Sequence, residues 1–279
     1  MDSVGYVVVS LIGAGSFLTS EGIPAGRLLL ETFLIGEALM SSVFLLNNRF
    51  DYAVDRNADS DKTSKNPIAS GSMGLREAEA LSLSLMILGL VGLTLWIGSA
   101  IAIFLYLLVW AVGLMYSAPP FRLKSRPGFD ILAHGAVVLG LFVMGYCFAN
   151  TISWAAFVFG IPFLMLSTIY ELRNHLKDWA VDSFTGVRTS IAAFGLRTGR
   201  HLLWVSVFLF WLSVLYAGYL LGTAMMILVT ATIVSYSFFI TITRSSSDLV
   251  FDVHLWLMGG IYSTAKLLVI AGLLKISGL

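Results

Sequence analysis

Charge is what this sequence has least of. Only 12% of its 279 residues are Asp, Glu, Lys or Arg, against about a quarter in a soluble domain, while 58% are hydrophobic. With a mean hydropathy of +0.88, this excludes an ordinary soluble protein and points to an integral membrane protein. Cysteine is nearly absent as well. The single Cys147 excludes an intramolecular disulfide, and a lone thiol inside an apolar run is expected to be buried and inert. The first residues carry Asp2 and no Lys or Arg, so a cleavable signal peptide is not expected. An extended basic stripe is also missing. Basic residues alternate with acidic ones in short loops, so nucleic acid is not an expected partner.

What fills the sequence instead is a series of apolar runs, each long enough to cross a bilayer, which takes roughly 17 to 25 residues. The runs predict spans at 4–19, 27–46, 77–97, 99–117, 130–149, 152–171, 202–221, 223–243 and 254–275. They must be helices, because backbone groups facing lipid need partners within their own segment, and strand alternation is absent. The expectation is an all-α bundle of nine transmembrane helices forming one domain over residues 1–279. The basic residues then orient it. Of the 17 Lys and Arg, fourteen lie on the loops after the second, fourth, sixth and eighth spans, whereas the turns near Gly98, Asn150 and Gly222 carry none. The positive-inside rule places the equipped loops in the cytoplasm.

Two of those loops begin with matching sequences. Residues 47–55 read NNRFDYAVD and residues 174–182 read NHLKDWAVD, both Asn-x-x-x-Asp-aromatic-Ala-Val-Asp, 127 residues apart. Four spans separate them, so both emerge on one face, which predicts two pseudo-repeated halves. Residues four apart share a helix face. If the preceding helices continue, Asn47, Asp51 and Asp55 stack in one row and Asp178 and Asp182 in another. Asp59 and Asp61 have no counterpart in the second copy and are expected in the solvated loop.

A single acidic helix end at an interface merely solvates that end. Two copies on one face favour a different chemistry. Clustered carboxylates resist full ionisation without a counter-ion. Magnesium suits them, because it prefers oxygen ligands and is typically held by one or two carboxylates together with substrate phosphates. The motifs therefore point to a Mg2+–diphosphate clamp. Basic residues nearby would share the phosphate charge: Lys62, Lys65, Arg173, Lys177 and Arg188 beside the motifs, and Tyr116, Arg122, Lys124 and Arg126 in the segment YSAPPFRLKSRP. Arg76, Arg197, Arg200 and Arg244 are assigned only to membrane orientation and anionic lipid. Glu31 and Glu37, inside a span, are functional candidates by position. For His134, His254 and Lys266, packing or pairing is expected rather than ligation.

Taken together, Asn47-x-x-x-Asp51-x-x-x-Asp55, KNPIASG (65–71), YSAPPFRLK (116–124), Asp178-x-x-x-Asp182 and GVRT (186–189) resemble the UbiA superfamily of intramembrane prenyltransferases. The resemblance extends over nearly the whole sequence. It implies a nine-helix bundle around a central cavity, with Asn47, Asp51, Asp55, Asp178 and Asp182 holding Mg2+, two ions being expected, on an isoprenyl diphosphate. Asp51, Asp55, Asp178 and Asp182 become the expected catalytic residues. Asn47, Lys65, Tyr116, Arg122, Lys124, Asn174, Lys177 and Arg188 are expected at the substrate. Departures from the family pattern are Asn48 where Asp is common, Asn66-Pro67 where Arg-Pro is common, and His175 at a position near the second motif that is frequently acidic. The implied reaction is transfer of an isoprenyl group from an allylic polyprenyl diphosphate to a lipophilic acceptor, either a carotenoid, as in lycopene-elongase-like members, or geranylgeranylglyceryl phosphate. A quinone or chlorophyll-type acceptor is the alternative within the family. An ion-coupled secondary transporter is the alternative from another class.

Overall fold

The computed structural model describes residues 25–57, 60–185 and 188–221. Among these residues every regular element is helical: α1 (Ala25–Asp55), α2 (Ser60–Lys65), α3 (Leu75–Gly92), α4 (Ala100–Ser117), α5 (Phe129–Ala149), α6 (Trp154–Thr185), α7 (Ser190–Phe194) and α8 (Leu196–Leu221). A π-helical turn, Leu93–Ile97, prolongs α3, and a short 3-10 turn, Leu123–Ser125, precedes α5. Six helices are long and apolar enough to cross a bilayer, namely α1, α3 with its π turn, α4, α5, α6 and α8. They correspond to the second to seventh expected spans. The spans expected at 4–19, 223–243 and 254–275 lie outside the described residues, as do Asp59, Gly186, Arg244, His254 and Lys266 and the side chains of Asp61 and Lys62.

Two helices are longer than a membrane requires. α1 has 31 residues and α6 has 32. At ~1.5 Å per residue each reaches about 45 Å or more, beyond a hydrocarbon core of about 30 Å. Their final turns therefore run past the apolar layer, and those turns carry the two acidic motifs. The helix does continue through Asn47, Asp51 and Asp55, as the row on one face needs.

The opposite end is closed tightly. Gly98, in the left-handed region at φ 68°, turns the backbone after the π segment, and the Ser99 hydroxyl caps α4 by accepting from the Ala102 N–H. The core lies along the middle of the bundle, where Ile35, Leu39 and Met40 of α1 meet Tyr106 of α4, Leu141, Phe142 and Met144 of α5, and Phe159 of α6. The Phe142 and Phe163 rings stack with centroids 5.2 Å apart. Large apolar side chains of α3, its π turn and α8, including Leu88, Leu95, Phe208 and Tyr219, face outward, as a lipid-facing surface requires.

Close helix approach near the motifs depends on small residues. A Cβ at Gly113 of α4 would lie 2.6 Å from a Val43 methyl of α1, so only glycine allows this spacing. Val43 and Asn47 are four apart on α1, and Gly113 and Ser117 are four apart on α4, so the same approach carries Ser117 to Asn47 one turn further on. Nearby, the Trp110 indole N–H donates to Ser42 Oγ at 3.0 Å, and Ser42 and Ser82 hydroxyls pair at 3.0 Å. These contacts tie α1, α3 and α4 together beneath the first motif. Replacing Gly113 with Val is expected to destabilise the protein by about 1–3 kcal/mol through overpacking, read as a lower thermal midpoint in detergent. Gly26→Ala, at a helical position with nothing within 4 Å of the added carbon, should not lower it.

Candidate functional site

At the first motif the three stacked residues each have a defined partner. Asn47 Oδ1 accepts from the Ser117 hydroxyl and lies 3.4 Å from Lys124 Nζ. The same ammonium donates to both oxygens of the Asp51 carboxylate. Lys124 is placed there by a turn in which the Arg122 N–H bonds the Ala118 carbonyl at 2.8 Å, with Arg122 itself left-handed at φ 39°. Burial pushes the Lys124 amine below the usual lysine range, and the Asp51 charge opposes that shift. Asp55 Oδ2 accepts from Asn66 Nδ2 at 2.8 Å, and the Asp55 backbone carbonyl accepts from the Thr63 hydroxyl at 2.8 Å.

Asn66 explains why KNPIASG follows the motif. It is buried, donates also to the Asn48 backbone carbonyl at 2.9 Å, and accepts the Ile68 and Ala69 N–H groups at 3.0 and 3.2 Å. One amide thus pins the loop to the end of α1, and it uses the backbone of Asn48 rather than its side chain.

The second motif is held differently. Asp178 is exposed, whereas Asp182 is partly buried and accepts from the Thr189 hydroxyl at 3.0 Å. Two to three turns earlier on α6, Glu171 accepts from the Tyr116 hydroxyl at 2.7 Å and faces His175 Nε2 at 3.2 Å and His134 Nε2 at 3.8 Å. His134 Nδ1 pairs with the Ser167 hydroxyl at 2.6 Å. Tyr116 and Ser117, consecutive at the end of α4, therefore reach to opposite sides: Ser117 to Asn47 of the first motif, Tyr116 to Glu171 beneath the second. The end of α4 links both halves of the site.

With this geometry in place, the comparison with protein families is decisive. The model of the UbiA prenyltransferase family matches residues 7–258. The chain belongs to the UbiA prenyltransferase family. Two relatives are digeranylgeranylglyceryl phosphate synthases. That of Saccharolobus solfataricus is 27% identical over 199 residues, covering 70% of this chain and 64% of its own length. That of Thermococcus gammatolerans is 26% identical over 240 residues, covering 77% and 82%. A UbiA homolog from Archaeoglobus fulgidus, solved bound to DMAPP and Mg2+, shares the fold with a TM-score of 0.73 at 19% identity, over 95% of each chain.

For a UbiA-type site the donor set here is suitable. Asn47, Asp51, Asp55, Asp178 and Asp182 offer only oxygen, all within reach of solvent, and the Lys124 ammonium already sits on Asn47 and Asp51 as a cation would. Among the described residues no three His, Cys, Asp or Glu side chains converge as a preformed metal cage. Oxygen donors of this kind, completed by water and phosphate, fit Mg2+ rather than a metal needing a closed protein cage.

Lys65, Arg122, Asn174, Lys177 and Arg188 are exposed, and Arg126 donates to the Pro120 carbonyl at 2.8 Å. Asn174 does not repeat what Asn47 does; on α6 the buried polar positions nearby are Glu171, Arg173 and His175. Glu31 pairs with Arg27 at 2.7 Å, and Glu37 accepts from the Ser41 hydroxyl at 2.8 Å, both away from the motifs. Sequence reasoning singled out none of Ser117, Asp130, Glu171 and Thr189, although Ser117 and Thr189 lie within the segments YSAPPFRLK and GVRT. Glu171 also carried a signal, as a carboxylate at the end of a candidate span. Tyr116→Phe, which strips Glu171 of a hydroxyl donor, is expected to lower stability by about 1.5–3 kcal/mol, the range for hydrogen bonds to charged groups. Thermal unfolding in detergent checks it.

Proposed function

We propose that this protein transfers an isoprenyl group from an allylic polyprenyl diphosphate to a lipophilic acceptor within the membrane, and that the acceptor is a glyceryl phosphate lipid of the geranylgeranylglyceryl phosphate type. The observation that carries the reaction is the joining of two aspartate motifs through the end of α4, in a protein of the UbiA family. The names of the two curated relatives favour the glyceryl phosphate acceptor over the carotenoid, quinone and chlorophyll-type alternatives. Family membership also sets aside a secondary transporter.

In this account Asn47, Asp51 and Asp55 would hold one Mg2+ and Asp178 and Asp182 a second, at the substrate diphosphate. Bound Mg2+ supplies neutralisation of the charge that develops on the departing diphosphate. Lys124, which sits on the Asp51 carboxylate, would add a positive charge at the same place. The allylic C–O bond breaks with its electrons leaving on the diphosphate, and a lone pair of the acceptor forms the new bond to carbon, with loss of the acceptor's proton. Apolar helices exclude water, which would otherwise capture the allylic cation, and strengthen each electrostatic term within. In the same proposal residues 1–279 form one domain of nine helices around a central cavity, with the motif loops in the cytoplasm.

Asp51→Ala and Asp178→Ala are each expected to reduce Mg2+-dependent transfer at least about 100-fold, and chelation with EDTA to abolish it in the native protein. The assay is diphosphate release and product mass after mixing detergent-solubilised protein with geranylgeranyl diphosphate and geranylgeranylglyceryl phosphate. Retention of full activity by both variants would sink the metal assignment. Product formation only with a carotenoid would sink the acceptor assignment while leaving the reaction.

A further inference from the structure

An Asp in the first turn of a helix normally sits at the surface, where it favours the helix N-terminus. Asp130, in the first turn of α5, is instead wholly buried at 0% exposure. A carboxylate withdrawn from water is costly unless its oxygens are fully used, and here they are. Oδ1 accepts the Ile131 N–H at 2.9 Å and the Ser190 hydroxyl, and Oδ2 accepts the Ser190 N–H at 2.6 Å. Ser190 Oγ in turn accepts the Gly128 N–H at 2.7 Å. The start of α5 and the first residue of α7 are thereby locked in a closed ring, with His175 Nδ1 of α6 at 3.5 Å from Oδ2.

The lock lies one residue from a partner of the second motif. Thr189, the residue before Ser190, caps α7 by accepting the Ala192 N–H at 3.3 Å and uses its own O–H to donate to Asp182 at 3.0 Å. A hydroxyl accepts and donates at once, so the position of Ser190 sets that of Thr189, and Thr189 sets one oxygen of Asp182. His175 lies seven residues before Asp182, on the same face of α6, and approaches Asp130 from that side. We propose that Asp130 is a positioning residue for the second metal half-site, acting in series through Ser190 and Thr189 on Asp182. The proposal rests on the assignment of Asp182 to Mg2+. The carboxylate is specifically required. Each of its oxygens receives a backbone N–H, so an amide in either orientation sets an NH2 group against one of them.

The test uses the full-length protein in detergent and the thermal stabilisation produced by Mg2+ together with geranyl S-thiolodiphosphate, which reports binding without turnover. Asp130→Asn and Thr189→Val are each expected to raise the Mg2+ concentration for half-maximal stabilisation about 10-fold or more, as loss of groups behind metal ligands commonly does. Thr189→Ser, which keeps the hydroxyl, should match the native protein. The double variant should be no worse than either single one, because the two act along one path. An unchanged midpoint for Asp130→Asn, or losses that multiply in the double variant, would overturn the proposal. Should Asp130→Asn fail to fold, Ser190→Ala takes its place, and an unchanged midpoint there is equally fatal. Asp182→Ala separates the two levels. If it too leaves the midpoint unchanged, the metal assignment falls and the proposal with it, whereas an effect of Asp182→Ala without one of Asp130→Asn overturns the proposal alone.

Discussion

Acidic side chains gathered at one end of an apolar bundle must be compensated, and much of the local structure follows from how this is done. At the first motif the compensation is the Lys124 ammonium, brought to Asp51 and Asn47 by the turn after α4. Beneath the second it is His175, set between Glu171 and Asp130. The two solutions differ in kind. Lys124 reaches in from a loop, so in the proposed reaction its charge would lie beside the phosphate. His175 is fixed within a helix among buried partners.

The end of α4 connects these arrangements. Gly113 lets α4 approach α1, which brings Ser117 to Asn47, and the residue before it, Tyr116, bonds Glu171 on α6. A continuous series of polar contacts therefore runs from Asp51 through Lys124, Asn47 and the backbone of Ser117 and Tyr116 to Glu171 and His175, then through Asp130 and Ser190 to Thr189 and Asp182. Burial beside apolar helices raises the strength of each contact and the cost of losing it.

Much of this is legible in the sequence because it is written in strong signals. Apolar runs mark six of the spans where the structure places them, and the four-residue spacing of Asn47, Asp51 and Asp55 foretells a helix continuing past the membrane. YSAPPFRLK stands out as part of the site, and its Lys124 sits on the first motif. Other residues carry their role only through tertiary contact. Asp130 reads as an ordinary acidic helix start, and Ser190 as a common polar residue; nothing local says that they meet across a separation of 60 positions. The matching of Asn174 to Asn47 is the converse case, a sequence likeness without a shared environment, since Asn174 is exposed while Asn47 accepts two donors. Repetition identifies the two acidic motifs, but packing decides which neighbours serve them.

The central claim is that both motifs act on one diphosphate. The most direct measurement compares kcat/KM for prenyl transfer in Asp51→Ala, Asp178→Ala and the double variant. Residues that act as a unit give losses far from additive in free energy, so the double variant is predicted to fall no more than about 10-fold below the weaker single one. Losses that multiply in full would contradict a shared site and indicate two motifs working independently.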